Sequence, residues 1–268
     1  MSVLTNERYV EEARRIVELS GKRHILMRTM GACAIRIRCP KNHDILEKMS
    51  RNITDLDFVS YHEYELRMRP FMQDLGYAPK TFEGTLETAS RRQIYNNESQ
   101  GIHVDIFFDK LDMCHEIDFR NRLAIDPLTI SAADLLLEKT QIIGMNEKDI
   151  NDLVVLILEN DIDTIDENAI NGAYISQLTS EDWGLYYTVA TNLREIEDKL
   201  PVNYERILST EEIANVRAKI EKLIGIIEDK PKSMKWKMRA RIGTKVKWYK
   251  EVEEVTIESI LDRVSTRK

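Results

Sequence analysis

The chain has 268 residues, 43% hydrophobic and 32% charged, a globular composition long enough to bury a substantial core in two domains or in one domain with a large extension. Its formal net charge of -7 argues against a protein devoted wholly to nucleic acid, although an average conceals local patches. Cys33, Cys39 and Cys114 are odd in number and lack a CxxC spacing, which argues against a disulfide framework or a zinc site and for reduced, buried thiols.

Residues Met1 to Glu18 carry no apolar signal-peptide core, and no later run is long enough to span a membrane, so a cytoplasmic protein is expected. Tyr9, Val10, Ala13, Ile16 and Val17 recur at helical spacing between Glu7 and Leu19, with Ser20-Gly21 as the stop. Ile25 to Met30 leads to Gly31, after which Ala32, Ala34, Ile35 and Ile37 predict a short helix beginning at the Gly31-Ala32 turn. Such an end presents free N–H groups and a positive dipole, and glycine lets a phosphate approach closely. Pro40 to Ser50 is polar and reads as a connection. Tyr61 to Leu75 reads as a helix with Tyr64, Met68, Phe71 and Leu75 on one face, ended by Gly76.

Arg91 to Tyr95 and Gly101 to Phe108 flank the turn-rich Asn96-Asn97-Glu98-Ser99, a hairpin signal. Ser131 offers an N-cap to a helix bearing Leu135-Leu136-Leu137 and Lys139, and a second helix runs from about Asn146 to Leu158. The remainder reads as helical. One helix spans Ser180 to Leu200, and a longer one opens at Ser209-Thr210-Glu211-Glu212, carries Ile213, Val216, Ile220, Leu223 and Ile227, and is closed by Pro231. From Lys230 to Lys250 nine cations occur without an acid, interleaved with Trp236, Trp248 and Tyr249, which is either a solvated charged face or an RNA-binding surface.

The chemistry concentrates in Thr54-Asp55-Leu56-Asp57-Phe58-Val59. In a strand, alternate side chains share a face, so Asp55 and Asp57 point together, and Asp105 in His103-Val104-Asp105-Ile106-Phe107 can join them if the two strands are neighbours. Three carboxylates so placed repel unless a cation sits between them, and hard oxygen ligands favour Mg²⁺ or Mn²⁺. A dinuclear centre of this kind binds a triphosphate and activates a hydroxyl. Asp55 and Asp57 would hold the nucleotide-bound metal, Asp105 would complete the second metal nearest the nucleophile, the Gly31-Ala32 turn would meet phosphate, and Lys139 would neutralise phosphate charge. Asp149 and Asp152 read first as capping or ion-pairing groups, with Lys148 or nearby arginines, and second as groups that position the base or ribose. His103, His115 and His62 read as structural.

The order of Gly31-Ala32, Asp55-x-Asp57 and strand-borne Asp105 resembles the nucleotidyltransferase superfamily related to DNA polymerase beta. Asp134-Leu-Leu-Leu-Glu-Lys139-Thr-Gln141, followed by Lys148-Asp149-Ile-Asn-Asp152, is similar to its AbiEii/MenT-like toxin branch. The resemblance covers roughly residues 20 to 160. It implies an α/β fold with a short mixed sheet flanked by helices in a domain over 1–160, followed by a mostly helical region over 161–268. It also implies transfer of a nucleoside monophosphate from a nucleoside triphosphate to a hydroxyl acceptor such as tRNA, with an antitoxin protein as a partner in that branch. Ala32 stands where the family usually has Ser or Gly, which keeps the backbone donors and removes a hydroxyl. Two other readings stay open: a small-molecule, aminoglycoside-type acceptor, and a nucleotidyltransferase-like nucleotide-binding or interaction module without turnover.

Overall fold

The computed structural model describes residues 4–80 and 92–251. Thr5 caps the first helix, α1 (Asn6–Lys22), which runs through the Ser20-Gly21 stop and buries Tyr9, Ala13, Ile16 and Val17. Strand β1 (Met27–Met30) then passes directly into α2 (Gly31–Arg38). The polar stretch after it is more than a connection: it holds α3 (His43–Lys48), whose Ile45 and Leu46 are buried. Only two of its six residues face the core, too few to show a period.

Strand β2 (Leu56–Ser60) and α4 (Glu65–Asp74) follow, with Gly76 at φ +87 just beyond the helix. Next come β3 (Ala78–Pro79), β4 (Arg92–Asn97) and β5 (Ile102–Phe108). The hairpin turn therefore lies two residues later than its Asn-rich signal suggests, and Arg91 lies outside the described residues. The sheet order is β1-β2-β5-β4-β3, with β2 and β5 parallel and every other neighbour antiparallel. The free edge of β1 is covered by residues 128–130: Thr29 N–H donates to the Leu128 carbonyl (2.9 Å) and Ile130 N–H to that of Thr29 (3.0 Å).

Strands β6 (Lys110–Asp112) and β7 (Glu116–Asp118) form a small hairpin after β5. Then come α5 (Ala132–Thr140), capped by Ser131, and α6 (Glu147–Glu159), capped by Asn146. The chain beyond is not all helix. Strands β8 (Asp161–Asp163) and β9 (Ala169–Asn171) pair in parallel before α7 (Gly172–Glu181), α8 (Trp183–Asn203), α9 (Thr210–Asp229) and α10 (Met234–Ile242). Three-residue strands are too short to show alternation. Helix α9 opens with a full capping box between Ser209 and Glu212.

Two apolar clusters sandwich the sheet. Tyr9, Ile16, Phe58, Val104, Ile106 and Phe71 gather on the α1 and α4 side. Val59, Leu136, Val154, Leu193 and Ile220 gather on the other, so helices from both halves of the chain share one core. Helix α2 is wedged between them, giving Cys33 to the first cluster and Ala34 and Ile35 to the second. Because Val59 faces the second cluster, Asp57 on the same side of β2 faces the layer built by α5 and α6.

Candidate active site

The parallel pairing sets Asp57 opposite Asp105, and the antiparallel pairing sets Met30 opposite Asp57. The last residue of β1, the central carboxylate and the third carboxylate are thus lined up across three adjacent strands. Asp55 stands one residue before β2 and is half-buried, like Asp57. The register therefore sets Asp57, Asp105 and the Gly31 turn side by side, with Asp55 near enough to Asp57 to raise its carboxyl.

Gly31 takes φ +67, a conformation that side chains resist, and a β-carbon there would lie 2.5 Å from Asp57 Oδ2. Its N–H is not free. It donates to Glu138 Oε2 across 3.1 Å, bringing a buried carboxylate from α5 onto the N-terminus of α2, where the helix dipole favours it. Burial raises the Glu138 carboxyl above its ordinary range, eased by Lys139 and by that N–H. Burial likewise pushes the Asp57 carboxyl well up, and Asp55, Glu138 and Asp105 add to it while Lys139 opposes. This crowding of acids is the electrostatic signature of the site.

Asp105 is only 5% exposed. Its Oδ2 accepts from an Arg92 guanidinium N–H, His103 Nε2 stands 3.5 Å from Oδ1, and Oδ1 accepts no hydrogen bond. Burial would raise this carboxyl, but His103 and Arg92 more than offset it and leave it below its ordinary value. His103 is oriented in turn by Asn96, whose Oδ1 lies 2.6 Å from Nδ1.

Lys139 does not face solvent. Its ammonium lies 3.2 Å from Asp149 Oδ1, 3.4 Å from Asp152 Oδ2 and 3.8 Å from Glu138 Oε1. Although burial disfavours its charge, Asp152, Glu138 and Asp149 together raise its pKa. Arg51 completes the network with two 2.8 Å hydrogen bonds to Asp152. Asp149 thus pairs with Lys139, and Asp152 with both Lys139 and Arg51. Glu138, Arg92 and the role of Arg51 escape sequence reasoning. The one signal for Glu138 is an acid set in an apolar helical run, Leu135-Leu136-Leu137.

Among the described residues no three His, Cys, Asp or Glu side chains converge closely enough to hold an ion as they stand. The donor set nonetheless fits a hard divalent cation. Asp55, Asp57 and Asp105 supply oxygens alone, their mutual repulsion calls for positive charge, and Asp105 Oδ1 is a buried acceptor without a donor.

No family model matches the chain, and no curated protein matches it. Among solved structures it is similar to the antibiotic-resistance factor ANT(2'')-Ia in solution, with a TM-score of 0.35 at 11% identity over 82% of this chain and 94% of that one. It is similar also to an antigenic nucleotidyltransferase-like protein from Paracoccidioides brasiliensis, with a TM-score of 0.42 at 11% identity over 87% and 97%. Similarity this distant assigns no residue a role.

Proposed function

We propose that this chain is a nucleotidyltransferase that moves a nucleoside monophosphate from a nucleoside triphosphate to a hydroxyl acceptor and releases pyrophosphate. The observation that carries the reading is the in-register pair Asp57 and Asp105 on parallel strands, beside a strand-to-helix turn whose glycine leaves no room for a side chain against Asp57. The motif order that resembles the nucleotidyltransferase superfamily and its AbiEii/MenT-like branch agrees with it. Asp55, Asp57 and Asp105 would hold Mg²⁺ or Mn²⁺, which when bound would neutralise triphosphate charge and lower the pKa of a coordinated hydroxyl.

The chain's own residues then divide the work. With the Gly31 N–H committed to Glu138, phosphate contact falls to Ala32 and Cys33, the next donors of the α2 N-terminus. In this reading Asp105, which Arg92 and His103 keep in its ionised form, would lie nearest the nucleophile and could help take up the hydroxyl proton. Lys139, Asp149, Asp152 and Arg51 form the buried charged wall behind the turn. Lys139 acts through this wall, with three carboxylates already around it.

RNA is the favoured acceptor. Lys235, Lys237, Arg241 and Lys245 are exposed and make no ion pair among the described residues, which suits phosphate. Trp236 and Trp248 are half-buried and tied to the fold through their indole N–H groups, which donate to the Thr179 carbonyl (3.0 Å) and to Thr188 Oγ1 (3.0 Å). An antitoxin protein is the partner that the branch resemblance adds. A module that binds nucleotide without turnover is the second reading, favoured by the prior commitment of both the Gly31 N–H and Lys139.

The test is transfer of label from each α-labelled nucleoside triphosphate into total RNA, protein and small molecules with Mg²⁺ or Mn²⁺, comparing wild type with Asp57→Ala. Label that enters one fraction and is lost in the variant supports the enzyme and names its acceptor class. Nucleotide binding with no label in any fraction supports the module without turnover.

A further inference from the structure

Glu138 and Gly31 are 107 positions apart, yet one buried hydrogen bond joins them. Helix α2 has no side-chain cap at its N-terminus, since Met30 occupies the cap position. The acceptor that a serine or aspartate would supply locally comes instead from another helix. Glu138 is 7% exposed and its carboxylate has a ring of charge behind it, with Lys139 Nζ 3.8 Å from Oε1. On the other side of the turn Asp57 fills the space a side chain on residue 31 would need, 2.5 Å from where a β-carbon would stand. Glu138 thus links the charged wall to the Gly31 turn, and the turn lies against the central carboxylate with no room for a side chain between them.

We propose that Glu138 is the positioning residue of this site: its Oε2 pins the Gly31 N–H, fixes the turn in its positive-φ form, and so sets where Asp57 stands and which N–H groups remain for phosphate. The proposal rests on the nucleotidyl-transfer reading for its kinetic consequence and on geometry alone for the hold on the turn. A carboxylate in this position does two things at once. It satisfies a donor that would otherwise be buried and unpaired, and it excludes a phosphate oxygen from that one donor while leaving Ala32 and Cys33. The contribution lies in acceptor geometry, not in charge, so an amide oxygen at the same place should serve.

The experiment compares full-length Glu138→Gln, which keeps an acceptor, with Glu138→Met, which keeps the volume and removes it. The first readout is the solvent-exchange rate of the Gly31 amide by NMR, which needs no activity. The second is kcat and KM for transfer from an α-labelled nucleoside triphosphate with Mg²⁺. Glu138→Met is expected to speed Gly31 exchange at least tenfold and to lower kcat about a hundredfold with KM little changed, the pattern of a misplaced reacting group. Glu138→Gln is expected to stay within about threefold of wild type in both. Wild-type exchange in Glu138→Met overturns the proposal, and so does Glu138→Gln falling as far as Glu138→Met. If the methionine variant does not fold, rapid Gly31 exchange in the folded glutamine variant overturns it equally. A wild-type protein that transfers nothing refutes the enzymatic reading, and the exchange rates then still decide whether Glu138 holds the turn.

Discussion

Asp57 Oδ2 occupies the space into which a β-carbon on Gly31 would project, 2.5 Å away. Residue 31 must therefore be glycine on two counts, contact and a φ of +67. Gly31→Ala is expected to cost about 1–2 kcal/mol from the backbone alone. Displacement of Asp57 should lower transfer about a hundredfold. Urea unfolding and labelled-nucleotide assays check the two effects, and a variant with wild-type turnover would remove the turn from the site.

Lys139 stands among three carboxylates, so removing it takes the cation from Glu138 and Asp149 and leaves Asp152 to Arg51 alone. Lys139→Met is expected to destabilise the fold by about 3 kcal/mol. Asp149→Asn, which leaves Lys139 paired with Asp152, should cost only about 1 kcal/mol. Chemical denaturation of both variants tests the order. If the asparagine variant is the weaker protein, the network does not work as described.

His115 gives the stability a pH dependence away from the site. Its backbone N–H donates to Gln141 Oε1 (2.8 Å), and Nε2 lies 2.8 Å from Thr188 Oγ1. Burial depresses the imidazole pKa, with Asp182 opposing and Lys250 adding to the effect. The unfolded chain then binds the proton more readily than the folded one, so this stability is full above roughly pH 6.5 and is lost as pH falls from there toward the folded value. The melting temperature should decline on acidification through that window, and His115→Gln should flatten the slope. A slope unchanged by the substitution would assign it to other groups.

Neutralising Lys235, Lys237 and Arg241 to Gln should weaken RNA binding and reduce the salt slope by about 2 if each cation meets one phosphate. Trp236→Ala should behave differently, lowering stability with little change in that slope, because Trp236 lies edge-on to Tyr186 with ring centroids 5.1 Å apart. Binding isotherms across a salt series separate the two effects.

Much of this architecture is legible in residue order. The 3.6-residue period announces α1, α4 and α9, and the two-residue period of Ile102, Val104, Ile106 and Phe108 places Asp105 on the opposite face of β5. What is not legible is pairing between distant segments. That β2 lies parallel to β5, that Arg51 meets Asp152 and that Glu138 meets Gly31 depend on packing that no local window contains. Strands β8 and β9 and helix α3 were hidden by shortness. What the residue order of the basic segment also does not contain is the tie of its indoles to the fold: Trp236 and Trp248 each donate their N–H to a distant residue, Thr179 and Thr188.

The strip formed by residues 128–130 along β1 has a consequence for assembly. An open sheet edge is a ladder of unused donors and acceptors on which a neighbouring molecule can add a strand. Here the rung at Thr29, two residues from the Gly31 turn, is already filled within the chain, on both its donor and its acceptor side. Another copy cannot zip onto that rung without first peeling away residues 128–130, so strand addition there is blocked.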